Sequence, residues 1–70
     1  GWNEVARNQW VYMYKGHMMM RITKHKGQSG TAVVIVDAPG NERQLLNFRT
    51  QEEADEWIAE KKAEVKKRAG

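Results

Sequence analysis

The sequence predicts an α+β domain, an antiparallel sheet of three to four strands with one C-terminal helix packed on one face. Between residues 10 and 49, four short segments rich in β-formers are separated by glycine-bearing turn signals. One long amphipathic stretch follows, and it opens with a helix-capping signature. The chain has 70 residues and no cysteine, so residues 1–70 make a single domain with a thin core and no disulfide or thiolate metal site to support it.

The elements follow in order. Gly1 stands in place of an initiator methionine and is set aside from the fold as an expression remnant. Residues 1–9 read as an N-terminal arm or short helix, because Trp2, Val5 and Ala6 fall at helical spacing. "QWVYMYK" and "HMMMRITK" flank Lys15-Gly16, a two-residue hairpin turn in which glycine supplies a positive φ, giving strands over 10–14 and 17–24. "KGQSG" (26–30) and "APGN" (38–41) are loops by composition. "TAVVIVD" and "ERQLLNFR" read as strands over 31–37 and 42–48, which places the sheet within 10–49. The last segment, within 50–68, is a helix from about 51 to 67. Thr50 is its N-cap with Glu53 three residues on; acids fill its first turns and bases its last, and Ala54, Trp57, Ile58, Lys61 and Val65 share one face. Trp57 is the expected anchor of that face.

A symmetric turn at Lys15-Gly16 sorts the first hairpin into two faces. Val11, Met13, Met18, Met20 and Ile22 form an apolar set that the helix can cover. Trp10, Tyr12, Tyr14, His17, Met19, Arg21 and Thr23 form an amphipathic set on the other face. In the second hairpin, a loop centred on Pro39-Gly40 pairs Val36 with Arg43 and Val34 with Leu45. It also sets Asp37 opposite Glu42, an unfavourable like-charge pair. The set Val33, Ile35, Leu46 and Phe48 is expected to face the helix, and Ala32, Val34, Val36 and Leu45 the other side.

One helix cannot cover both faces. Residues 2–8 could fold over the second face with Trp2 and Val5 as a plug; a partner protein or another copy could cover it; or it could be a stacking platform for bases. Charge bears on the choice. Residues 1–50 carry seven basic and three acidic groups, whereas residues 51–70 carry five basic and six acidic. That excess favours an anionic partner. The first reading is therefore a small, non-catalytic nucleic-acid-binding module using the exposed aromatic and basic sheet face. The alternative is a protein-interaction domain, either a phage-type inhibitor or a homodimer, using the same face. The candidate binding residues are Trp10, Tyr12, Tyr14, Lys15, His17, Met19, Arg21, Thr23, Lys24, Lys26 and Arg43.

The stretch "LLNFRTQEEADEW" resembles the close of AP2-like domains and the N-terminal arm-binding domains of phage and transposon integrases. The resemblance spans about residues 18 to 62. It implies a three-stranded sheet on a C-terminal helix, with the sheet entering the major groove, and it places DNA contacts on Arg21, Thr23, Lys24 and Arg43. Two departures stand against it: Met18, Met19 and Met20 occupy a strand that the family fills with arginine and tryptophan, and there is an additional N-terminal strand.

Other classes find little support. His17 and His25, the only histidines, have no partner at metal-ligand spacing. "GQSG" lacks the lysine and the length of a P-loop. No catalytic pair or cofactor motif appears, so neither enzymatic activity nor a cofactor is expected. No apolar run approaches a membrane span, no signal peptide is visible, and an unstapled domain of this size is expected in the cytoplasm. The capping signature yields the first testable outcome. Thr50→Ala removes the acceptor of a helix-start amide and should lower stability by about 1 kcal/mol, read as a fall in Tm.

Overall fold

Five antiparallel strands follow one another in a meander, and a single helix closes one face of the sheet they form. This is the architecture of a computed structural model that describes residues 1–69; Gly70, the end of the predicted domain, lies outside the described residues. The strands are β1 (Trp2–Ala6), β2 (Gln9–Tyr14), β3 (His17–Lys26), β4 (Ala32–Asp37) and β5 (Gln44–Phe48), and the helix is α1 (Gln51–Ala69).

The sheet thus has one strand more than expected, because residues 2–6 are extended and not helical. β1 adds to the free edge of β2, with Trp2 opposite Tyr12 and Glu4 opposite Trp10. The spacing of Trp2, Val5 and Ala6 suggested a helix, but only Trp2 is held. Its ring meets Tyr12 edge-on at 5.2 Å, and its indole N–H donates to the Lys62 carbonyl at 2.9 Å. Val5 lies at a bulge between Glu4 and Ala6 and stays exposed. Residues 2–8 therefore widen the sheet and do not plug its outer face.

The turn at Lys15-Gly16 forms as expected, with φ of 51° and 78° at the two residues, values that suit glycine at the second position. Tyr14 pairs with His17 and Met13 with Met18. The register then shifts, because β3 carries one residue more than β2. Tyr12 pairs with Met20, Val11 with Arg21 and Trp10 with Ile22. A one-residue slip exchanges the faces of everything beyond it. Trp10 and Tyr12 therefore lie on the helix side with Met20 and Ile22, whereas Val11 and Met13 turn outward.

The β4–β5 hairpin is also displaced by one residue from the symmetric expectation. Val36 pairs with Gln44, Ile35 with Leu45 and Val34 with Leu46, leaving residues 37–43 as an odd-numbered loop about Gly40. Leu46 and Phe48 face the helix as expected. Their companions on that face are Ala32, Val34 and Val36, while Val33 and Ile35 point to the open side with Leu45.

The core lies between the sheet and α1. Ile22, Ala32, Val34, Val36, Ala54 and Ile58 are buried, and Trp2, Trp10, Met20, Leu46, Phe48 and Trp57 pack around them. Trp57 is half-buried against Phe48, with ring centroids 6.1 Å apart. The fully enclosed helix residues are the smaller Ala54 and Ile58 beside it. The helix begins at the predicted cap, where the Glu53 N–H donates to Thr50 Oγ1 at 3.1 Å. Gln51 ties that end to the Thr31 carbonyl, and Lys24 reaches from β3 to Asp55 at 2.7 Å. At the other end Lys62 Nζ stands 5.3 Å from the Trp10 ring centroid in a cation–π contact.

Tyr12 retains only 5% of its exposure, so it is a core residue. Tyr12→Ala should cost about 3–5 kcal/mol, the range for large aromatic truncations in a core. Val11→Ala, one residue away on the open face, should cost about 1 kcal/mol or less. Chemical denaturation of the two variants measures the difference.

Candidate functional site

The face opposite α1 is covered by nothing within residues 1–69, and cross-strand register fixes its composition. One row across the sheet reads Asn3, Val11, Arg21, Asp37; the next reads Gln9, Thr23, Ile35, Leu45; the third reads His25, Val33, Asn47. Met13 opposite Met18, with exposed Met19 in the bulge, extends the face toward the β2–β3 turn.

Its aliphatic residues are unusual for their position. An antiparallel sheet covered on one side normally alternates apolar inward with polar outward residues. Here Val33 and Ile35 of β4 and Val11 of β2 point outward, and Leu45 on β5 keeps 59% of its exposure. β4 is consequently apolar on both sides up to Asp37, which is why the sequence alone could not tell its two faces apart.

The charged part of the face is a three-residue cluster. Arg43 Nε donates to Asp37 Oδ1 at 2.7 Å, and Arg21 Nη2 donates to Asp37 Oδ2 at 3.3 Å. The hydrogen bond from Arg43 holds the Asp37 carboxyl below its ordinary value. Partial burial opposes it, and the hydrogen bond from Arg21 and the charges of both arginines reinforce it. The cluster keeps one net positive charge. With Gln9, Thr23, His25 and Ile35 it lines a shallow depression of about 270 Å³. The Arg21 Nε–H is buried there without a hydrogen-bond partner.

The predicted binding residues separate into three groups. Arg21, Thr23 and Arg43 do come together on the open face. Tyr14, Lys15, His17 and Met19 gather at the β2–β3 end, where Lys15 Nζ lies 5.4 Å from the Tyr14 ring centroid. Trp10, Tyr12, Lys24 and Lys26 belong to the helix side, Trp10 and Tyr12 in or against the core, Lys24 bound to Asp55, and Lys26 opposite Ala32. Val34, expected on the open face, is fully buried, whereas Leu45 is on that face as expected. Gln9, Val11, His25, Val33, Ile35, Asp37 and Asn47 were missed. One signal could have found several of them. Shifting the second hairpin by a single residue replaces the unfavourable Asp37–Glu42 pair with an Asp37–Arg43 ion pair and turns Val33 and Ile35 outward in the same step.

The "KHKGQSG" loop uses its polar groups internally. The Gly27 N–H donates to the Thr31 carbonyl, and both the N–H and Oγ1 of Thr31 donate to the Gln28 carbonyl. A side chain at Gly27 would collide with Thr31 Oγ1, which accounts for glycine at that position. Among the described residues, no group of three histidine, cysteine, aspartate or glutamate side chains is placed to hold a metal ion, and no helix is long and apolar enough to cross a membrane. Comparisons with family models, with curated proteins and with solved structures return no match.

The arginine clamp has a pH signature. Because the native carboxyl sits below its unfolded value of 3.8, the stability it lends is fully present above that value. It is lost as the pH falls through the lower native one. Asp37→Asn should therefore flatten the acid limb of a Tm-versus-pH curve below about pH 4, the ordinary aspartate range, while leaving the slope of that curve near neutral pH unchanged.

Proposed function

We propose that this chain is a non-catalytic binding module whose open sheet face docks an apolar surface of another protein. The outward aliphatic residues carry this reading: Val33, Ile35 and Leu45 on the adjacent strands β4 and β5, with Val11 across Arg21 and Thr23 of β3. Hydrocarbon on a flat sheet gains by leaving water, at about 25 cal/mol per Å² of apolar surface. It offers little to a nucleic acid, whose bases bind such faces by stacking on aromatic rings. The two rings that would have supplied a central platform, Trp10 and Tyr12, are committed to the helix side. Arg21 and Arg43 border the aliphatic patch and add direction. A partner carboxylate or carbonyl near them would meet a cluster with spare positive charge and a buried donor without an acceptor.

Nucleic acid remains the second reading, supported by one observation. Lys61, Lys62, Lys66, Lys67 and Arg68 crowd the last turns of the helix, and at that pole Lys61 and Arg68 line one hollow with Arg43. A phosphate backbone would contact that pole and not the sheet face.

A peptide displayed-library selection followed by NMR mapping separates the two. Selected peptides are expected to be apolar and to shift the amides of Val11, Thr23, Val33 and Ile35. Val33→Asp is expected to weaken their binding at least tenfold, about 1.4 kcal/mol, with Tm little changed. Short single- or double-stranded oligonucleotides that shift the same amides, with affinity falling steeply with salt, would overturn the protein reading.

A further inference from the structure

The sheet has two unpaired edges, and they are finished differently. β1 carries a bulge between Glu4 and Ala6 and a charged residue within its span, devices that discourage further pairing. β5 has neither. Gln44–Phe48 runs in unbroken register with β4, with no charge, proline or bulge, and its outer edge is the end of the sheet. Exposed Leu45 and Asn47 sit along this edge on the open face. Two exposed arginines bracket the strand, Arg43 before it and Arg49 after it. Arg43 gives Asp37 only its Nε, and Arg49 has no ion pair among the described residues.

We infer that the free edge of β5 accepts an extended segment of a partner protein as a sixth strand, a segment with acidic residues six positions apart that meet Arg43 and Arg49. The inference rests on the open face being a protein-docking surface and names how the partner docks there. Main-chain hydrogen bonds to an exposed edge supply affinity and alternate side chains supply specificity. Leu45 and Asn47 point to one side, so the added strand would lay its own alternate residues against them. A six-residue interval along a strand spans about 20 Å, which sets the separation of the two acids.

A second copy fits this edge poorly. Antiparallel pairing of β5 with its own duplicate about Leu46 would set Arg43 opposite Arg49 at both ends, and like charges directly opposed destabilise a pair. A strand with acidic ends turns both positions into attractions.

The test uses a fluorescein-labelled heptapeptide with glutamate at each end and alternating valine and threonine between, beside its counterpart with lysine at each end. Fluorescence anisotropy should show the glutamate-ended peptide binding at least tenfold more tightly, and Arg49→Glu should reverse that preference. In the NMR titration, Gln44 to Phe48 should shift most, and Leu45→Lys should abolish the shifts without lowering Tm by more than a few degrees. Equal binding of the two peptides would overturn the inference. So would a concentration-dependent dimer in sedimentation that Leu45→Lys dissolves, since the edge would then belong to a second copy. Selected peptides that shift Val11, Thr23 and Val33 but leave β5 unmoved would remove strand addition while leaving the docking face intact; a failure to shift either region would remove both.

Discussion

Met19 has no counterpart on β2, and most of the molecule's chemistry depends on that one extra residue. Toward the turn the hairpin is symmetric; across the bulge the residues of β2 exchange faces relative to their neighbours on β3. The change brings Tyr12 under the helix and gives Trp2 a ring to pack against, while Arg21 stays on the open face beside Asp37. A flush hairpin would have presented rings and an arginine to solvent and put methionines under the helix. The bulged one encloses the rings and leaves Val11 and Met13 outside.

The two faces are consequently held by different forces. Under the helix, close packing of Ile22, Val34, Ala54 and Ile58 is anchored at both ends of α1, by Lys24–Asp55 near its start and by Trp2 and Trp10 around Lys62 near its close. On the open side there is no second layer. The Arg21–Asp37–Arg43 cluster is partly exposed, and such surface ion pairs contribute modestly. Its use is in fixing where positive charge stands beside a strip of hydrocarbon. Stability thus resides mainly on one side of the sheet, and the other side contributes little to it.

Much of the fold could be read from the residues. The Lys15-Gly16 turn, four of the five strands and the Thr50 cap all follow from local signals, namely turn chemistry, β-branching and capping spacing. β1 could not be read this way, because its five residues contain a single partly buried anchor, Trp2, whose partner Lys62 is sixty residues away. The faces were harder still. Alternation assigns a side chain to a face only if the register is known, and a bulge at Met19 and an odd loop about Gly40 each moved it by one residue. β4 is apolar on both sides of most of its length, so its composition could not correct the error. Of the candidate site, Arg21, Thr23 and Arg43 were legible as exposed polar residues. Val33 and Ile35 were not, since an aliphatic residue in a strand normally signifies core.

The meander order has a kinetic consequence. Every strand pairs with its neighbour in sequence, so the sheet can grow hairpin by hairpin, and no closure of a long loop is needed until the helix settles. Chains dominated by such near-neighbour pairings fold quickly for their size. The tie from Trp2 to Lys62 joins the first strand to the last element and belongs to the end of that sequence. Contacts formed after the rate-limiting barrier hardly alter how fast a chain folds and chiefly set how slowly it comes apart. On that view the indole of Trp2 works as a latch, governing the lifetime of the closed molecule more than the speed of its assembly.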